Sequence, residues 1–213
     1  HPPKSYPEMM TEYKNEHGAD RDLLMIGYGY SINSELMSLV AKWGGGSFSF
    51  IPDPGFVGTV ISHALANSME VSIKEESKED ETGRLSFVNC LDSICLSLVT
   101  PKSRYGTISV KDDQLVEARK VYDYYTTFNP NTKYQEPEIS IALNSVENWS
   151  KWGCHYVRSL SFAHRNKECN NFKDPSVQGY QHLRKKRWSV IRDSAHESYK
   201  NLPAPEPTSS TVT

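Results

Sequence analysis

A chain of 213 residues, 37% apolar and 11% aromatic, has material for a hydrophobic core, which argues against wholesale disorder and leaves room for one large or two small domains. Its formal net charge of −2 argues against a nucleic-acid protein defined by overall charge, and no run approaches the roughly 18 apolar residues of a membrane span. The first residue is His1 rather than Met and there is no signal-peptide pattern, so the chain reads as processed or truncated, with a cytoplasmic location expected and secretion the alternative.

Pro7 to His17 is predicted helical, with Met9, Met10 and Tyr13 on one side and Gly18 as the stop. Leu23-Leu24-Met25-Ile26 is a continuous apolar run ending in Gly27-Tyr28-Gly29-Tyr30. A run without alternation suits a strand covered on both faces, as in a parallel sheet. Ser31 and Asn33 are N-cap candidates for a helix carrying Leu36, Leu39 and Val40, which stops at Gly44-Gly45-Gly46. Phe48, Phe50 and Ile51 predict a second short strand. Asp53-Pro54 then opens a helix with Val57, Val60, Ile61, Leu65 and Ala66. Helix, strand, helix, strand, helix is the order of a doubly wound α/β fold, assigned to residues 1–69.

The stretch 70–83 turns acidic through Glu75, Glu76, Glu79, Asp80 and Glu81 and reads as a linker. Residues 84–203 are predicted to be a mainly helical module. Leu91, Ile94, Cys95 and Leu98 form a first stripe; a loop from Pro101 to Lys111, with room for a strand at Thr107 to Val110, separates it from a second stripe of Leu115, Ala118, Tyr122 and Tyr125. Asn129-Pro130-Asn131 breaks that helix. One longer helix then aligns Ile139, Leu143, Val146, Gly153, Tyr156 and Leu160, and a last one carries Trp188, Ile191, Ala195, Tyr199 and Leu202. Residues 204–213 are expected to be a disordered tail.

Few residues here promise chemistry. Cys90, Cys95, Cys154 and Cys169 lack a CxxC pair and read as inert thiols in a reducing compartment, a disulfide being the lesser alternative. His155, His164, Cys154 and Cys169 suggest zinc by proximity, but two histidines nine residues apart on a helix turn to opposite sides, at roughly 100° per residue. A hydrolase or nuclease reading would recruit His164, Cys169 and Asp174 as base, nucleophile and orienter, with His155 beside them. Asn170, Asn171 and Lys173, in Asn170-Asn171-Phe172-Lys173-Asp174-Pro175, read either as an exposed recognition loop or as a helix terminus plugged by Phe172. Arg184-Lys185-Lys186-Arg187 is a basic run that points all around a helix; it reads as a solvated helix start, or as a site for nucleic acid or acidic lipid. The glycines lack the spacing of a phosphate cradle, and Asn148-Trp149-Ser150 reads as a chance sequon inside a helical pattern.

Two blocks carry a family resemblance. Ile26-Gly27-Tyr28-Gly29-Tyr30, Ser34-Glu35-Leu36, Gly44 through Asp53, Val57-Gly58-Thr59-Val60 and Ala64-Leu65-Ala66-Asn67 resemble the last two strands of a von Willebrand factor type A (vWA) domain with their helices. Trp152 through Leu160, Ala163-His164, Cys169 through Pro175, Val177-Gln178 and Leu202-Pro203 resemble the Vwaint module of vWA proteins that often carry an intein-like Hint domain. The resemblance implies a partial doubly wound parallel sheet followed by helices. In vWA domains an Asp-x-Ser-x-Ser loop, a threonine and a further aspartate hold a divalent cation. None of those elements is in this sequence, and Asp20 and Asp22 lie at the wrong end of the strand, so no metal ligand is carried over. The acidic stretch is too short for a Hint fold.

The expected function is a non-catalytic protein-interaction scaffold with no cofactor and no metal site. An unidentified protein is the expected partner, and association with a missing amino-terminal vWA half or with a second copy is the specific form foreseen. A two-stranded sheet leaves edges and apolar faces that proteins normally pair or cover.

Overall fold

The computed structural model describes residues 4–18, 23–68, 78–98, 102–103, 106–107, 110–129, 132–170, 174–180 and Glu197. The chain begins with helix α1 (Tyr6–His17), whose Glu8 carboxylate accepts a 2.7 Å hydrogen bond from the Ser5 amide and so caps the helix start. Strand β1 (Leu24–Tyr28) leads into α2 (Ser34–Gly44), and strand β2 (Ser47–Ile51) into a 3₁₀ turn (Pro54–Phe56) and α3 (Val57–Ser68). Both predicted caps form: Asn33 Oδ1 accepts from the Leu36 amide at 3.0 Å, and Asp53 Oδ1 from the Gly55 amide at 2.8 Å. The triple glycine ends α2 for two reasons. Gly45 takes φ +74°, the left-handed region where a side chain is strained, and a Cβ on Gly46 would stand 2.0 Å from the Leu23 carbonyl oxygen.

The strands pair in parallel, Leu24 opposite Ser47 through Tyr28 opposite Ile51. The Ser47 amide donates to Leu23 C=O and the Gly29 amide to Ile51 C=O, which fixes the parity of the ladder. In a parallel pair a residue turns its N–H and C=O to the same side. Odd-numbered β1 residues therefore face β2, and Leu24, Ile26 and Tyr28 turn their backbone groups to the other edge. On β2 the even residues face outward, and there they are met: the Phe50 amide donates to Ser159 Oγ at 3.1 Å, and Asn166 Nδ2 donates to Gly46 C=O at 3.3 Å.

Beyond the sheet come α4 (Lys78–Ser97), a small antiparallel pair β3 (Lys102–Ser103) and β4 (Gly106–Thr107), α5 (Asp112–Phe128), a 3₁₀ turn (Thr132–Tyr134), α6 (Pro137–Ala142), α7 (Val146–Asn148), a π-helical turn (Trp149–Gly153), α8 (Cys154–Asn166) and α9 (Pro175–Gln178). The architecture is mostly helical with a small parallel sheet, a mixed α/β arrangement. Two expectations change. The predicted linker at 70–83 gives way to helix at Lys78: Glu79, Asp80 and Glu81 fill the first turn of α4, where the positive helix end favours acidic side chains. The single long helix predicted from Ile139 to Leu160 is broken at Leu143, because Ser145 Oγ accepts from the Asn148 amide at 3.1 Å and starts a new helix there. The π turn then re-aims the chain into α8. The last predicted helix, from Trp188 to Leu202, and the tail lie outside the described residues apart from helical Glu197.

Helix α8 joins the two halves. On one side Val157, Leu160 and Ala163 enter the larger core with Phe87, Leu91 and Ile94 of α4, Leu115, Ala118, Tyr122 and Tyr125 of α5, and Trp149. Toward the sheet, Tyr156 and Phe162, with Trp152 of the π turn, cover Phe48 and Phe50 of β2 and Ala41 of α2. All of β2 is buried, whereas Leu24, Met25 and Ile26 of β1 are only half-buried and Tyr28 is exposed.

Candidate functional site

The residues named for hydrolysis do not converge on one another. His164 is fully buried; Nδ1 pairs with the Tyr180 hydroxyl at 2.9 Å and Nε2 with Ser176 Oγ at 3.0 Å. Burial drives its pKa down to about 3, with the Arg84 charge adding to the shift, so the ring is held neutral. Arg84 donates at 3.1 Å to the His164 carbonyl, and the Phe87 ring meets the imidazole edge-on at 4.9 Å. With both ring nitrogens engaged and no solvent access, His164 is a core histidine. Cys169 is buried and its carbonyl accepts from Asn67 Nδ2 at 3.4 Å, while Asp174 is buried at the start of α9. Neither is a ring partner of His164.

His155 faces the other side of α8. Its Nδ1 lies 2.7 Å from Ser34 Oγ and its Nε2 3.2 Å from Tyr30 C=O, while Arg158 Nη1 donates to the same Ser34 oxygen at 3.2 Å. Burial lowers the His155 pKa, and the Arg158 charge works in the same direction. The imidazole fastens α8 to the β1–α2 connection. Among the described residues no cluster of His, Cys, Asp and Glu could hold a metal ion. All four cysteines are unbridged, and burial pushes the Cys90 and Cys95 thiols up to about 12, far from the thiolate a nucleophile needs.

Asn170 departs from the exposed-amide reading. It is 6% exposed, and Nδ2 donates to Ser159 C=O at 3.1 Å and to Ser159 Oγ at 2.8 Å, so it braces the serine that caps β2. Asn171, Lys173, Arg184, Lys185, Lys186 and Arg187 lie outside the described residues.

What the sequence reading missed is a cavity of about 360 Å³ at the carboxyl ends of β1 and β2. Tyr30 and Asp53 come from the segments that follow the two strands; Phe50 comes from β2; Trp152, Tyr156, Asn170 and Asp174 come from the helical part. A signal was available, because open α/β sheets bind ligands beyond the carboxyl ends of their strands. The helical contributors, about a hundred residues or more away along the chain, carried no such mark. Beside the cavity Asn170 Oδ1 is buried without a hydrogen-bond partner among the described residues. A shallower groove of about 240 Å³ runs between α2, α4 and α8, where Arg165 pairs with Asp92 and Ser161 Oγ donates to Asp92 at 2.6 Å.

No curated protein and no solved structure matches the chain. Residues 133–197, which contain the π turn, α8 and α9, match the family model Vwaint, described as VWA / Hh protein intein-like, so that over this stretch the chain carries a vWA-related module.

Proposed function

We propose that the chain is a non-catalytic protein-interaction scaffold: the carboxyl-terminal half of a doubly wound vWA-type sheet, braced by its Vwaint-like helices, with the outer edge of β1 as the surface on which a further strand docks. The observation that carries this reading is the inequality of the two sheet edges. The outer edge of β2 is met by Ser159 and Asn166 of α8. Leu24, Ile26 and Tyr28 turn their backbone groups away from β2, and among the described residues nothing meets them. An open strand edge in a parallel sheet is a template for pairing, and strand addition is an established mode of recognition. The strand comes from an amino-terminal vWA half or from a second copy of this chain.

Ile26→Pro tests this. The substitution removes an amide that faces away from β2 and bonds nothing among the described residues, and proline is tolerated on an edge of this kind. Affinity capture from cell extract and sedimentation velocity, run on wild type and variant, should show association that the proline weakens at least tenfold. Association of equal strength in both would refute the β1 edge as the docking surface.

A further inference from the structure

We propose that the groove between α2, α4 and α8 binds an amphipathic helix of a partner protein, apolar on the face that enters and bearing carboxylates on the flank that passes Lys42. Hydrogen bonds fix how the three helices run. Ser34 at the start of α2 meets His155 and Arg158 near the start of α8, and Asn166 at the end of α8 donates to the Gly46 carbonyl just past the end of α2, so these two are parallel. Arg84, early in α4, donates to the His164 carbonyl late in α8, so α4 runs the other way. Three helices arranged around an open groove leave the place of a fourth.

The lining repeats the spacing of a helix face. Glu35, Ser38, Leu39 and Lys42 of α2 stand at i, i+3, i+4 and i+7, and α8 presents the same spacing from Arg158 to Arg165. Walls of this kind offer no strand edge; they take another helix by packing side-chain ridges into grooves. Leu39 is 40% exposed and Leu96 of α4 is 74% exposed, and with half-buried Cys95 and Phe162 they form an apolar surface. The space, about 240 Å³, is smaller than the roughly 300 to 1,000 Å³ of small-molecule sites, whereas a helix needs only to seat a few side chains there. Charge then selects the helix. Among the described lining residues Lys42, Arg158 and Arg165 outnumber Glu35 and Asp92. Asp92 is already met by Arg165 and by Ser161 Oγ. Arg158 donates to Ser34, the neighbour of Glu35, so those two opposite charges share one end of the groove. At the other end the exposed Lys42 ammonium has no ion or hydrogen-bond partner among the described residues. An acidic flank complements it, and a basic flank is repelled. The groove shares no residue with the outer edge of β1, so the two proposals fail separately.

The test is fluorescence anisotropy of the full chain with labelled alanine-based peptides of about 18 residues, long enough to be helical by themselves. All carry the same leucines at i, i+3 and i+7, and their flanks carry Glu, Gln or Lys. At low salt the Glu peptide should bind about threefold more tightly than the Gln peptide, and the Lys peptide about threefold more weakly, the size of an exposed ion pair. Lys42→Glu should reverse that order. Leu96→Ser should weaken the Glu peptide at least fivefold. Both side chains are exposed, so both variants should keep the wild-type fold, which circular dichroism checks. No binding of the Glu peptide, an unchanged order of the three peptides in Lys42→Glu, or full affinity in Leu96→Ser would each overturn the proposal. So would self-association of the chain that Leu96→Ser abolishes in sedimentation velocity, which would assign the groove to a second copy.

Discussion

Gly46 and Gly58 have the same side chain and opposite consequences. A methyl on Gly46 meets the Leu23 backbone, which cannot yield without parting β1 from β2, whereas a methyl on exposed Gly58 in α3 meets nothing within 4 Å. Gly46→Ala should therefore destabilise by about 2–4 kcal/mol, the range of overpacking and backbone strain. Gly58→Ala should stabilise by about 0.5 kcal/mol through helix propensity. Urea unfolding of both variants checks this. The buried histidines give a second prediction. His164 is depressed to about 3 and His63 to about 4, both chiefly by burial, so each is neutral when folded but protonates once unfolded. Their full contribution is present above about pH 6.5 and is lost as pH falls from there toward the folded values, by at most about 1.4 kcal/mol per pH unit for each group. Glu136, buried and raised, works in the opposite sense and softens the fall. His164→Gln should flatten the slope of unfolding free energy between pH 7 and pH 5; an unchanged slope would contradict the assignment of a buried neutral imidazole.

At the scale of elements, Ser159 joins three pieces of structure. Its hydroxyl accepts from the Phe50 amide and from Asn170 Nδ2, linking β2, α8 and the segment after α8. Ser159→Ala leaves the Phe50 amide buried and unmet and Asn170 Nδ2 with only the carbonyl of residue 159, and should cost about 1–3 kcal/mol. Amide exchange at Phe50 should accelerate more than at Ser49, whose amide faces β1. Equal protection at both amides would mean that α8 does not seal that edge. The elements were legible where a local signal settled them: the Leu23 to Ile26 run, the Phe48-x-Phe50 strand, the Asn33 and Asp53 caps and the Leu115 to Tyr125 stripe. They were illegible where a local competitor overrode periodicity. Ser145 is a good cap, and it cut a helix whose apolar spacing continues through it. The acids from Glu79 to Glu81 resemble a solvated linker until they are seen as the first turn of α4.

For the whole molecule, β2 is covered and braced by a helix that lies more than a hundred residues downstream, and no window of sequence contains both. That is why the helical wall of the cavity was invisible in the sequence, although the strand ends marked its place, and why the inequality of the two edges was invisible as well. The central proposal is that β1, which ends the sheet among the described residues, stands ready for another strand. Residue-resolved amide hydrogen exchange on the monomeric chain tests it most directly. The alternation of the ladder predicts slow exchange at Met25 and Gly27, whose amides face β2, and fast exchange at Leu24, Ile26 and Tyr28. Those three should become protected when a strand-donating partner or a second copy binds. Protection of Ile26 equal to that of Gly27 in the monomer would contradict the account.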